Sequence, residues 1–199
     1  YLNGSILYDP HRGRVRIEST DGQIMVFLQN RAWVSPPGDT AEGTRFHLLA
    51  WPYFLAAPFK LGDPGATITA ESPAPIAGRL CDTARLRFAA GTGDTPDDWY
   101  LLYKDPGSHR LHAMAYIMTY GRSVEEAERE PSAIVYDDYR PVEGVMIPMR
   151  WAFHTWSQTG GSSPHPHGEV RLSNVQFVEV NDHAFSVPHG AREDPPPSV

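Results

Sequence analysis

The sequence predicts a mostly β, α+β fold built on antiparallel sheet. Three observations carry that prediction: many short extended runs, Gly- or Pro-bearing connections between them, and a single long helical stretch. Ser5 to Tyr8 and Arg14 to Ser19 flank Asp9-Pro10-His11-Arg12-Gly13, where Pro fixes φ and Gly admits a positive φ, so the two runs read as a hairpin. Ile24 to Leu28 and Ala32 to Val34 continue it as a meander, and Pro36-Pro37-Gly38-Asp39 marks the first boundary. Thr44 is placed to cap a helix over Phe46 to Ala57, in which Pro52 lacks a backbone donor and is expected to kink the helix or split it in two. Apolar residues point all round that helix, so it needs cover on most sides, from protein or from a bound apolar ligand.

After the turn at Lys60 to Gly65, strands are predicted at Ala66 to Ala70, Ala84 to Ala89, Trp99 to Lys104, Leu111 to Tyr120, Ala133 to Arg140, Val145 to Trp156 and Glu169 to Val180. Connections such as Asp105-Pro106-Gly107 and Pro141-Val142-Glu143-Gly144 are too short for crossovers and favour antiparallel neighbours. Ser123-Val124-Glu125-Glu126 has capping-box spacing and opens a short acidic helix that Pro131 stops. A single domain over residues 1–190 is expected, followed by a Pro-rich tail over 191–199 expected to be disordered.

Composition narrows the function classes. With 199 residues, 41% of them hydrophobic, wholesale disorder is excluded. A net charge of −7 and scattered basic residues give no electrostatic footprint for nucleic acid or anionic lipid surfaces. Cys81 is the lone cysteine, so neither an internal disulfide nor a cysteine-rich zinc site is available, and it reads as a small buried residue. The longest apolar stretch, Phe46 to Phe59, contains His47 and two prolines and is shorter than the roughly 20 residues a membrane span needs. With no leader pattern at Tyr1, the chain reads as a mature product.

The long strands carry a functional hint. Leu111 to Tyr120 places Leu111, Ala113, Ala115 and Ile117 on one face and Met114, Tyr116 and Met118 on the other, and Val145 to Trp156 is likewise apolar on both faces. Both faces therefore need cover, from a helix, a barrel interior or a ligand. Met and aromatic side chains adapt to irregular apolar shapes and suit a cavity for a flexible guest. The predicted lining is Trp51, Phe54, Leu55 and Phe59 on the helix with Met114, Tyr116, Met118, Trp151 and Phe153 on the sheet.

Asp137-Asp138-Tyr139-Arg140-Pro141-Val142-Glu143-Gly144-Val145-Met146-Ile147-Pro148 resembles a hairpin of the bacterial outer-membrane lipoprotein carrier (LolA-like) superfamily. Pro58 to Gly65, Leu86-Arg87-Phe88 and Asp94 to Leu101 are similar to uncharacterised secreted bacterial proteins assigned to that fold, including the domain-of-unknown-function family DUF6503. The resemblance runs from about Tyr8 to Pro188 and implies a strongly curved antiparallel sheet, a half-open barrel with a few helices over its concave face and an apolar cavity between them. It also implies a periplasmic or otherwise extracytoplasmic protein, its signal peptide removed, that is not an enzyme, needs no cofactor, and binds a lipid, an acyl chain or a lipidated protein. The family usually begins with a helix ahead of its first strand, whereas the sequence opens directly on the strand expected at Tyr1 to Tyr8.

Other chemistry is less well supported by the residues. None of the local signatures of nucleophilic, zinc-protease, P-loop or dinucleotide chemistry occurs. Asp94, Asp97 and Asp98 could hold a hard cation but lack an EF-hand pattern and read as turn and strand-entry residues. His165-Pro166-His167 with His154 or Glu169 gives the rival reading, a metal-binding protein or metal-dependent hydrolase. A third is an envelope sensor or interaction domain without lipid cargo.

Overall fold

The computed structural model describes residues 2–37 and 43–197; Tyr1, Gly38 and Asp39 of the first boundary, and the last two residues of the tail lie outside them. The chain gathers into two compact units, one of Tyr1–Ala56 with Val178–Ser198 and one of Ala57–Phe177.

The first unit contains an antiparallel meander of β1 (Gly4–Asp9), β2 (Arg14–Ser19), β3 (Ile24–Leu28) and β4 (Arg31–Ser35). Val15 lies opposite Phe27 and Phe27 opposite Ala32, while Ile17, Met25 and Val34 form the next layer. All six are buried on one face, as the two-residue period of a strand requires. Leu48 of helix α1 (Thr44–Lys60) joins this cluster, with Trp51 packed at its margin. The helix runs unbroken through Pro52 and is not split into two pieces. The side chain of Leu48 is held in the core one turn before the proline, and the backbone N–H of Arg45 is bound by Asp194 Oδ2 at 2.8 Å. That carboxylate belongs to β13 (Arg192–Asp194), which pairs with β4 in the stretch expected to be a disordered tail. Arg14 reaches Asp9 and Asp182, each at 2.7 Å, and covers the ring of the fully buried Phe185, which pins the short 3-10 turn Asp182–Phe185.

The second unit is a curled antiparallel sheet. Its strands are β5 (Ala66–Ile76), β6 (Arg79–Phe88), β7 (Trp99–Lys104), β8 (Leu111–Tyr116), β9 (Ser132–Val142), β10 (Val145–Ser157), β11 (Gly161–Ser162) and β12 (Gly168–Arg171). The order from edge to edge is β11-β10-β9-β8-β7-β6-β5, with β12 on β10. Ala77 and Gly78 both take positive φ, the two-residue turn that matches strand twist, and this extends β5 and β6 beyond the runs legible in the sequence. Pro73 and Pro75 sit on the edge strand β5 beside a register shift, where a missing donor is tolerated.

Two strands are shorter than the sequence predicts. β8 stops at Tyr116 because the buried Asp98 carboxylate takes the Thr119 N–H at 2.7 Å and its hydroxyl at 2.8 Å, drawing the chain out of the ladder. β12 stops at Arg171; after Leu172 donates to the Met149 carbonyl, Asn174 adopts a positive φ and the run to Val180 leaves the sheet. The capping box forms as predicted: the Ser123 N–H donates to Glu126 Oε2, the Glu126 N–H donates to Ser123 Oγ, and α2 (Val124–Arg129) follows.

The curl brings distant strands together. Neighbouring strands lie about 4.8 Å apart, so β7 and β10, three spacings apart in the order, would be about 14 Å apart in a flat sheet. Yet Trp156 Nε1 of β10 donates to Tyr103 Oη of β7 at 3.1 Å, and the Trp99 and Trp156 rings meet edge to face at 5.9 Å. The face bearing these side chains is therefore the concave one, and β11 closes towards β5 from the opposite edge.

Two outcomes follow from buried polar groups in this sheet. Trp156→Phe keeps the ring but removes the donor to a buried hydroxyl, and is expected to cost about 1–2 kcal/mol in chemical denaturation. Burial raises the Asp98 carboxyl above its ordinary value near 3.8, so the folded chain takes up that proton at higher pH than the unfolded chain. The cost of ionisation is present at neutral pH and is relieved as pH falls through the raised value. Asp98→Asn keeps an oxygen to accept from Thr119; denaturation of both proteins between pH 7 and pH 4 is expected to show the wild type gaining stability relative to the variant on acidification (about the span of carboxyl titration).

Candidate functional site

The concave face of the curled sheet is built from alternate residues. Strand pairing aligns Trp99, Leu101 and Tyr103 of β7 with Ala113 and Ala115 of β8, and these with Ala133 and Val135 of β9. Small residues in the middle strands leave room for the large rings at the flanks, and Ala127 of α2 packs against the same cluster. The floor is closely filled by its own side chains, Trp99, Tyr103 and Trp156 among them, all buried. Burial pushes the Tyr103 hydroxyl and the Cys81 thiol up, so the former stays neutral and the latter is a poor nucleophile.

Towards β5 and β6 the same face turns polar and opens. A groove of about 480 Å³ is lined by Thr67, Thr69 and Glu71 of β5, Arg85 and Arg87 of β6, and Trp99. Glu128 of α2 and Gln158 after β10 complete its rim. Arg85 Nε donates to Glu71 Oε1 at 2.9 Å while its guanidinium lies 4.5 Å over the Trp99 ring, so one charge pair is fixed against the aromatic floor. Arg87 and Glu128 are exposed and make no ion pair, with each other or with another described residue. The groove thus carries two positive and two negative side chains beside a tryptophan edge, and it can hold a guest by apolar contact and charged hydrogen bonds together.

None of the lining residues predicted from sequence is among those of this groove. Trp51, Phe54, Leu55 and Phe59 recur at helical spacing on α1. Trp51 donates to His47 Nδ1 at 3.1 Å and meets Phe54 edge to face at 6.4 Å, Leu55 is half-buried, and Phe59 is 59% exposed. On the sheet, Met114 pairs with Ile134 and Ile134 with Phe153, while Trp151 pairs with Tyr136. Register therefore puts Met114, Tyr116, Trp151 and Phe153 together on the face opposite the concave one, with the half-buried Met118 just beyond β8. Tyr116 stacks on Tyr100 at 5.9 Å, and Trp151 meets Tyr136 edge to face and donates to the Pro148 carbonyl at 2.9 Å.

Of the groove residues, the quoted resembling segments contain only Arg87 and Trp99. The available signal was the alternation Thr67-x-Thr69-x-Glu71 and Arg85-x-Arg87, which alone reads as an ordinary solvent face. The histidine reading is not assembled either. His154 Nδ1 is bound to the Ser163 carbonyl at 2.8 Å, while His165 and His167 are exposed. Among the described residues, no three His, Cys, Asp or Glu side chains are grouped to hold a metal ion. Asp98 is committed to Thr119.

No protein-family model matches the chain, and no curated protein matches it. Among solved structures it is similar to a LolA superfamily protein, NE2245 of Nitrosomonas europaea, with a TM-score of 0.53 and 13% sequence identity. The match covers 88% of this chain and 77% of that one. At that identity the likeness concerns the fold: the chain has the LolA-like architecture, a curled antiparallel half-barrel with helices.

Proposed function

We propose that this chain is a non-enzymatic protein of the bacterial cell envelope that binds a hydrophobic ligand, a lipid, an acyl chain or the acylated end of a lipoprotein, on the concave side of its curled sheet. The observation that carries this reading is the groove of about 480 Å³ opening from the aromatic floor at Trp99. That volume lies in the range of small-molecule pockets, which run from about 300 to 1,000 Å³. The LolA-like fold and the absence of any helix long and apolar enough to cross a membrane, among the described residues, are consistent with an envelope carrier. A periplasmic location and a lipidated partner belong to the same proposal.

One observation favours the second reading, an envelope interaction domain without cargo. The deep part of the concave face is already occupied by Trp99, Leu101, Tyr103 and Trp156, so a guest is confined to the open end.

A fluorescent fatty-acid probe separates these readings. Thr69 is exposed in the groove, so Thr69→Trp fills the space without disturbing the core and is expected to weaken probe binding at least about tenfold, roughly 1.4 kcal/mol, at an unchanged denaturation midpoint. Met118→Arg, in the lining read from sequence, is expected to leave affinity unaltered. The reverse pattern moves the site to that lining, and a wild-type chain that refuses the probe supports the interaction domain.

A further inference from the structure

We infer that the groove takes a zwitterionic amphiphile, with the anionic group of the guest against Arg87 and its cationic group against Glu128. This deepens the proposed function and rests on it. The argument is one of charge balance. Arg85 and Glu71 neutralise each other at 2.9 Å, which leaves Arg87 and Glu128 as the opposite charges on the groove wall without a partner among the described residues. They line one groove without pairing with each other, so each is available to an opposite charge on the same guest. A purely anionic guest would satisfy Arg87 and bring a like charge towards Glu71 and Glu128; a purely cationic one would do the converse. Hydroxyls of Thr67 and Thr69 and the Gln158 amide line the same groove and can add neutral hydrogen bonds, and Trp99 is its apolar lining residue.

The test is calorimetric titration of the full chain with dihexanoyl-phosphatidylethanolamine, dihexanoyl-phosphatidylglycerol and glycerophosphoethanolamine, the lipids below their micelle-forming concentrations. The ethanolamine lipid is expected to bind about tenfold tighter than the glycerol lipid, the preference of one charge-assisted contact. Glu128→Gln is expected to erase that preference, and Arg87→Gln to weaken both lipids about tenfold, since both carry the phosphate. Both side chains are exposed, so unchanged denaturation midpoints are expected for both variants. Glycerophosphoethanolamine binding as tightly as its lipid keeps the charge assignment but makes the guest a free zwitterion. Equal affinity for the two lipids, or a preference that survives Glu128→Gln, overturns the inference while fatty-acid probe binding leaves the proposed function standing. A chain that binds no acylated probe overturns both.

Discussion

The hydrogen bond from Trp156 to Tyr103 is the constraint on which the geometry of the second unit turns. It joins strands three places apart, so it exists only in a sheet that has curled, and it distinguishes an inner face from an outer one. Its position fixes what the inner face contains. Alanines occupy β8 and β9 where curvature crowds the side chains, and rings occupy β7 and β10 where they meet across the hollow. A buried indole N–H and a buried phenol would each be costly without a partner, and here each answers the other.

Most of the fold was legible because it rests on local rules. Turn chemistry at Asp9 to Gly13 and the capping box at Ser123 depend on residues within a few positions of one another, and both read correctly. The differences came where a distant group overrode the local signal. β8 ends at Tyr116 because Asp98, before β7, claims Thr119, and α1 tolerates Pro52 in a setting stabilised by Leu48 in the core and by a carboxylate some 150 positions away in sequence. Arg192 to Asp194 looked like tail because three prolines follow, but their strand partner Ala32 to Val34 had already been read as extended.

The groove was less legible than the fold for a geometric reason. Period-two alternation tells which residues share a face and nothing about which way that face bends. Large apolar residues at Met114, Tyr116, Trp151 and Phe153 invited the choice of their face as the hollow, whereas a concave surface of strong curvature favours alanine in its middle. The polar stripe of Thr67, Thr69, Arg85 and Arg87 then took the appearance of solvent exposure, although the sheet folds it inwards beside Trp99. Small residues on the central strands are the sequence clue to curvature that period alone does not supply.

Because β13 completes the sheet that β1 begins, the first unit is interrupted by the whole of the second. A polypeptide emerging N-terminus first, from a ribosome or through a translocation pore, exposes β4 as an open edge until about 160 further residues have followed. The curled sheet, contiguous from Ala57 to Phe177, has all its strands available before that edge can close. The order of emergence thus sets an order of closure: the curled sheet can form before β13 joins β4, with Asp194 reaching the start of α1 as one of the final tertiary contacts.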